Sequence, residues 1–224
     1  FMDDLDTGRY ASPRIQHRRQ ATALGISPLP AAFANGLFVL GYKDEAGWHA
    51  LIDREIASAR KMMQDGVKRG DIYAEFMRTA KRGRVDEGSE EAERLRAERE
   101  QVKEASAPKS LAGPAFDQRY AVPTGAAGFG PEDAPVVVVE FVDYQCPYCR
   151  KAHEQVLPTL REQYPDQVRI EIRHLPLEIH PSAAAAARAA ITAGEQGKFV
   201  EFHEGLFSSE RGALGFSTFV ALAE

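Results

Sequence analysis

VVVVEFVDYQCPYC, residues 136–149, is the stretch on which the fold turns. Val136–Val142 is a nearly continuous apolar run. Its length suits a strand covered on both faces, as in a parallel sheet. Glu140 interrupts the run, and because Phe141 and Val142 continue it, Glu140 reads as a buried carboxyl rather than a strand end. Cys146 and Cys149 are the only cysteines in the chain. Pro147 stands between them, where proline fits the first turn of a helix. The stretch therefore reads as strand, then helix, with Cys146 at the helix N-terminus.

That placement has chemical content. The unsatisfied N–H groups and the positive dipole end of a helix favour a thiolate. A cysteine so placed has its pKa lowered into the range of about 3.5–7.5. Cys146 is then an exposed attacking thiolate, and Cys149, one turn further in, is the resolving thiol. Pro147 and Tyr148 are the spacer that tunes the redox poise. Glu140, buried near them, has a raised pKa and accepts a proton from Cys149. Two other readings stay open. A zinc site needs two more ligands, for which His153, His174 and His180 are candidates, although no C-x2-C…H-x3-H spacing appears. The cysteines could also be inert.

Downstream, VRIEIR alternates strictly, with Val168, Ile170 and Ile172 on one face. Strand, helix, strand at this spacing is a right-handed βαβ unit. Pro158 kinks or divides the intervening helix, which runs from the cysteines to about Gln163. Pro181 opens an alanine-rich helix ending at Gly194. Residues 198–207 and 218–224 are further helical stretches.

Upstream, Ser12-Pro13 is a helix start, with serine as cap, and the helix stops at Gly25. Asn35-Gly36 between Ala31–Ala34 and Leu37–Leu40 is a two-residue hairpin signal. Trp48, Leu51, Ile52, Ile56, Ala59 and Met63 recur at helical spacing until Gly66. Asp71 caps a short helix through Thr79. Residues 85–106 are densely charged, with opposite charges four apart, as in a solvated helical spacer. Residues 107–135 are rich in Pro, Gly and Ala and read as loop.

The 224 residues carry a net charge of −5, with 44% hydrophobic and 27% charged residues. The charge offers no footprint for nucleic acid. No run approaches the length of a membrane span. FMDDLDTGRY at the start is acidic and lacks the apolar core of a signal peptide.

VVVVEFVDYQCPYC with its helix, VRIEIRHLPLEIHPSAAAAARAA and QGKFVEFHEGLF together resemble the DsbA-like branch of thioredoxin-fold oxidoreductases. The resemblance implies an α/β thioredoxin-like fold with a DsbA-type helical insert. In that family a cis-proline loop, a hairpin and a last helix follow. Here LGISPLPAAFANGLFVLGY and GWHALIDREIASA resemble that end, but they precede the cysteines. The halves of the fold then stand in permuted order. Residues 1–66 are the C-terminal half, 67–134 a connector, and 135–224 the N-terminal half. A circular permutant and an excerpt of tandem domains both give this order. A lone hairpin with one helix cannot bury its apolar face, so the halves are expected to dock, within a chain or as a domain-swapped dimer.

By resemblance, Pro30 is the cis-proline beside the catalytic cysteines, and Leu29 offers its backbone to an extended substrate. The family usually has threonine or valine in place of Leu29. Tyr148 stands where strong oxidants often carry histidine, so the direction of exchange stays open. The resemblance implies a thiol–disulfide oxidoreductase with protein or peptide thiol/disulfide substrates and a separate redox partner. It also implies a periplasmic or otherwise exported location, with no cofactor and no metal. The alternative is a non-catalytic scaffold or client-binding module in which the cysteines form a structural disulfide.

Overall fold

The computed structural model describes residues 11–26, 29–41, 43–81 and 118–223. The charged helix expected at 85–106 lies outside these residues. The elements are α1 (Ala11–Ala23), β1 (Ala31–Ala34), β2 (Leu37–Leu40), α2 (Glu45–Gln64), α3 (Ile72–Arg78), β3 (Gly128–Phe129), β4 (Val136–Val142), α4 (Pro147–Gln155), α5 (Leu157–Gln163), β5 (Val168–His174), α6 (Ala183–Glu195), α7 (Phe199–Ser208) and α8 (Phe216–Ala223).

The strands form one sheet in the order β2-β1-β4-β5-β3. β4 and β5 are parallel, in register Val136↔Val168 through Val142↔His174. Every residue of β4 is buried, as an apolar run at the centre of a sheet requires. The hairpin β1–β2 docks antiparallel on β4, with Ala31 opposite Phe141 and Ala34 opposite Val138. The two segments thus meet within one chain, about a hundred residues apart in sequence.

The hairpin turn is where this docking is fixed. Asn35 and Gly36 both have positive φ, 45° and 83°, as a two-residue turn matched to strand twist needs. A Cβ on Gly36 would lie 2.5 Å from the carbonyl oxygen of Tyr120. Asn35 is fully buried. Its Oδ1 accepts from Val137 N–H at 2.9 Å and its Nδ2 donates to the Pro135 carbonyl at 3.3 Å. Arg119 donates to the Asn35 carbonyl and pairs with the buried Glu55 of α2, each at 2.7 Å. Asn35→Ala is expected to cost about 3 kcal/mol, because it strips partners from two buried backbone groups. Urea denaturation measures this, and a loss under about 1 kcal/mol would place these bonds with ordinary surface contacts.

Some elements differ from expectation. Residues 128–129, inside the stretch read as loop, form the edge strand β3, paired with Glu171 and Ile170. A two-residue strand leaves no period to read. The helix after the cysteines divides at Val156, two residues ahead of its expected breaker Pro158, since proline removes a hydrogen bond to the preceding turn. Asp71 precedes α3 without a side-chain cap bond. α1 begins at Ala11, so Ser12 falls inside it rather than before it. α6 begins two residues after Pro181. The polar face of β5 is also buried: Glu171 and Arg173 are 2% and 3% exposed. Glu171 accepts from the N–H groups of Gly125 and Ala126 and pairs with Arg169 and Arg173. Charge at alternate positions looks like a solvent face, but here it is a neutralised interior one.

Candidate active site

The site lies where β4 passes into α4. Cys146 is the residue before the helix, in extended conformation, with Pro147 at the first position. Pro147 and Tyr148 are exposed, Tyr148 to 61%. Cys146 itself is 5% exposed, which corrects the expectation of an exposed nucleophile. Its place in the hydrophobic cluster that also holds Leu29 accounts for that burial. Cys149 is completely buried. Both are free thiols.

The two sulfurs have opposite tendencies. The Cys149 thiol donates to Cys146, and the N–H groups of Cys149 and Tyr148 do the same, bringing Cys146 down to about 6 against burial and the Asp143 charge. Cys146 is then about nine-tenths thiolate at pH 7. Burial, then the hydrogen bond and charge of Cys146, hold Cys149 well above the usual thiol range. One sulfur is ready to attack while the other keeps its proton.

Glu140 is 6% exposed. Burial pushes its carboxyl up to about 8, and its charge is felt by both Cys149 and Tyr144. Its raised pKa has a cost. The folded chain keeps a proton that the unfolded chain loses near pH 4.5. That stabilisation is whole below 4.5 and is lost as pH rises through 8. Glu140→Gln is expected to be more stable than the native protein at pH 9 by on the order of 4 kcal/mol, with the difference shrinking toward pH 5. Chemical denaturation at the two pH values checks this, and an equal difference at both would refute it.

The Leu29-Pro30 peptide bond is cis. Ala31 lies opposite Phe141, so the strand register carried one residue further sets Pro30 beside Val142, at the end of β4 that leads to Cys146. Leu29 is 8% exposed and shares a hydrophobic cluster with Cys146 and Cys149.

The three histidines weighed as zinc partners point elsewhere. His174 packs beside His17 and Tyr144, and His153 stacks on Phe207. His180 bonds Asp143 through Nδ1 at 2.8 Å.

Sequence reading missed the polar groups that tie the cysteine turn to its surroundings. Asp143 accepts from the N–H groups of Gln145 and Leu177, at 2.7 and 2.8 Å. Gln145 accepts from Ser182 N–H at 2.6 Å and donates to the Arg211 carbonyl at 2.9 Å. Arg150 donates to the Ser209 carbonyl at 2.7 Å. The signal was a pair of polar residues between an apolar strand and a helix, but their partners lie 34 to 66 residues away in sequence.

A parallel strand pair with a hairpin antiparallel beside it, and a cysteine pair at the strand-to-helix junction, is the thioredoxin-like fold. Residues 122–218 match the protein-family model described as Thioredoxin. Among curated proteins, the chain is similar to Na(+)/H(+) antiporter NhaA 1 of Salinispora arenicola. Identity is 44% over 98 residues, covering 42% of this chain and 14% of that protein. It is also similar to Na(+)/H(+) antiporter NhaA 3 of Salinispora tropica, with 48% identity over 84 residues, 36% of this chain and 12% of that one. The matched segment spans only about one seventh of these relatives. Among solved structures, a thioredoxin-like oxidoreductase from Silicibacter pomeroyi DSS-3 is 36% identical with a TM-score of 0.39, covering 44% of this chain and 54% of that one. The catalytic domain of Proteus mirabilis ScsC is 31% identical with a TM-score of 0.38, covering 42% and 53%. No helix among the described residues is long and apolar enough to cross a membrane.

Proposed function

We propose that the protein is a thiol–disulfide oxidoreductase of DsbA-like type acting on protein or peptide cysteines. The observation that carries this reading is the pairing of a depressed Cys146 with a buried, protonated Cys149 on one helix turn. In the reducing direction, the Cys146 thiolate attacks one sulfur of a substrate disulfide. A mixed disulfide forms, and the other substrate sulfur leaves as a thiolate that takes a proton. Cys149 then gives up its proton to Glu140, in the roughly one-tenth of molecules in which a carboxyl at about 8 is ionised at pH 7, and attacks the Cys146 sulfur. The second substrate thiol leaves, and the protein holds the Cys146–Cys149 disulfide. Two electrons have passed to the substrate, and a separate redox partner returns them. The oxidising direction is the reverse.

Pro30 and Leu29 form the other wall of the substrate cleft in this reading, and the backbone of Leu29 pairs with an extended substrate segment. Residues 1–66 and 135–224 act as the two halves of the fold in permuted order, with 67–134 connecting them. The docking of β1 on β4 within one chain supports that reading, as does the Thioredoxin family match, which covers 122–218 but not the hairpin.

The test is catalysis by the native protein of insulin reduction by a small dithiol, together with a trapping experiment. With Cys149→Ser, the mixed disulfide has no resolving thiol and is expected to accumulate as a covalent adduct visible by mass. Native rates no higher than the uncatalysed reaction, with no adduct, would overturn the proposal.

A further inference from the structure

The turn between β4 and α4 contains a buried charge that works against the nucleophile. The Asp143 side chain is completely shielded from solvent. Both its oxygens accept backbone N–H groups, from Gln145 and Leu177, and its carbonyl accepts the N–H of Cys146 at 3.1 Å. A carboxylate fixed this way cannot swing away from the cysteine turn. Its negative charge opposes a thiolate at Cys146. The third group on its oxygens is His180 Nδ1, at 2.8 Å, with the imidazole 18% exposed. His180 therefore touches both the buried carboxylate and the solvent.

We propose that His180 is a positioning residue that acts on Cys146 through Asp143, the charge of the Asp143–His180 pair setting how readily the attacking sulfur ionises. With a neutral imidazole the pair carries a full negative charge. With an imidazolium it is neutral, and the thiolate is relieved of its opponent. A proton on His180 and a thiolate at Cys146 thus favour each other. Other charged and titratable groups surround the turn. They include Glu140 on β4, Cys149, Arg150 and Glu154 on α4, Glu178 with its partner Arg18 of α1 at the segment beside His180, and Arg211 in the segment bonded by Gln145. Among the described contacts, His180 is the only side chain that can place a positive charge directly on Asp143. Its placement repeats the pattern in which a histidine ring nitrogen is fixed by a carboxylate.

This inference rests on Cys146 being the attacking thiol, but its test does not depend on turnover. Ultraviolet thiolate absorbance of the reduced protein follows Cys146 ionisation directly. Asp143→Asn is expected to lower the Cys146 titration midpoint by about one pH unit. His180→Gln, which keeps a donor but never a charge, is expected to raise it by about half a unit. His180→Arg, always charged, is expected to lower it. In the Asp143→Asn background the His180→Gln shift should shrink, because the carboxylate that favours a proton on His180 is gone. A purely structural role would move the glutamine and arginine variants the same way, and would leave the His180→Gln shift intact beside Asp143→Asn. Either result, or no shift in any variant, overturns the inference. Loss of turnover with these shifts intact would count against the proposed function alone.

Discussion

Replacing Cys146 by serine is expected to slow thiol–disulfide exchange by about a thousandfold or more while leaving the fold intact. The size follows from ionisation. The native sulfur is held at about 6 by the Cys149 thiol and by two helix N–H groups, so it is mostly thiolate at neutral pH. A serine hydroxyl in the same place keeps its proton, and an oxygen nucleophile forms no disulfide. The fold is expected to persist because Ser at this position caps a helix well, and the turn is held by Asp143, Gln145 and Arg150 rather than by the sulfur. The measurement is the initial rate of insulin reduction, with circular dichroism as the control. A serine variant within tenfold of the native rate would show that Cys146 is not the nucleophile.

The second large effect is acid unfolding. His17, His174, His203 and His153 form a row through the interior, joined by Tyr144, whose hydroxyl lies 2.9 Å from His203 Nδ1. Burial, with weaker contributions from nearby charges, lowers all four: His17 and His153 to about 4, and His174 and His203 well below the usual value of 6.5. A histidine whose folded pKa is depressed favours the unfolded chain as pH falls below 6.5. The unfolded form then takes up protons that the folded form refuses. Glu140 runs the other way, one group against four. Half-buried His153 counts for less than its shift suggests. Between pH 6 and 5 the net loss is expected to be about 3–4 kcal/mol per pH unit. A small domain has only about 5–15 kcal/mol in total. Unfolding followed through the single, buried Trp48 should therefore show a midpoint that collapses between pH 6 and 4.5. A flat urea midpoint over that range would refute it.

Local chemistry accounts for what was legible in the sequence. Asn35-Gly36 carried the hairpin with its correct bounds, because only such residues accept two consecutive positive φ angles. The run from Val136 carried the central strand, and Pro147 carried the helix start. Glu140 was placed in the interior by the apolar residues on both sides of it. The burial of Glu171 and Arg173 was not legible, since alternation alone cannot separate a solvent face from an interior face of paired charges. Asp143 and His180 were unreadable as a pair because their contact bridges 37 residues. Cys146 was read as open to solvent from helix geometry, but it is buried in the same hydrophobic cluster as Leu29, more than a hundred residues away in sequence, and such a neighbour leaves no periodic trace.

The hairpin and its partner strand also set an order in time. A ribosome releases β1 and β2 first. β4, whose Val138–Phe141 edge they pair with, emerges roughly a hundred residues later, about 5–20 seconds at ordinary rates of synthesis. Phe33 and Phe38, buried in the folded protein, pack against β4 only once it has emerged. The pairing that completes this sheet is therefore a late event in synthesis, made by a strand that follows the hairpin rather than one that awaits it.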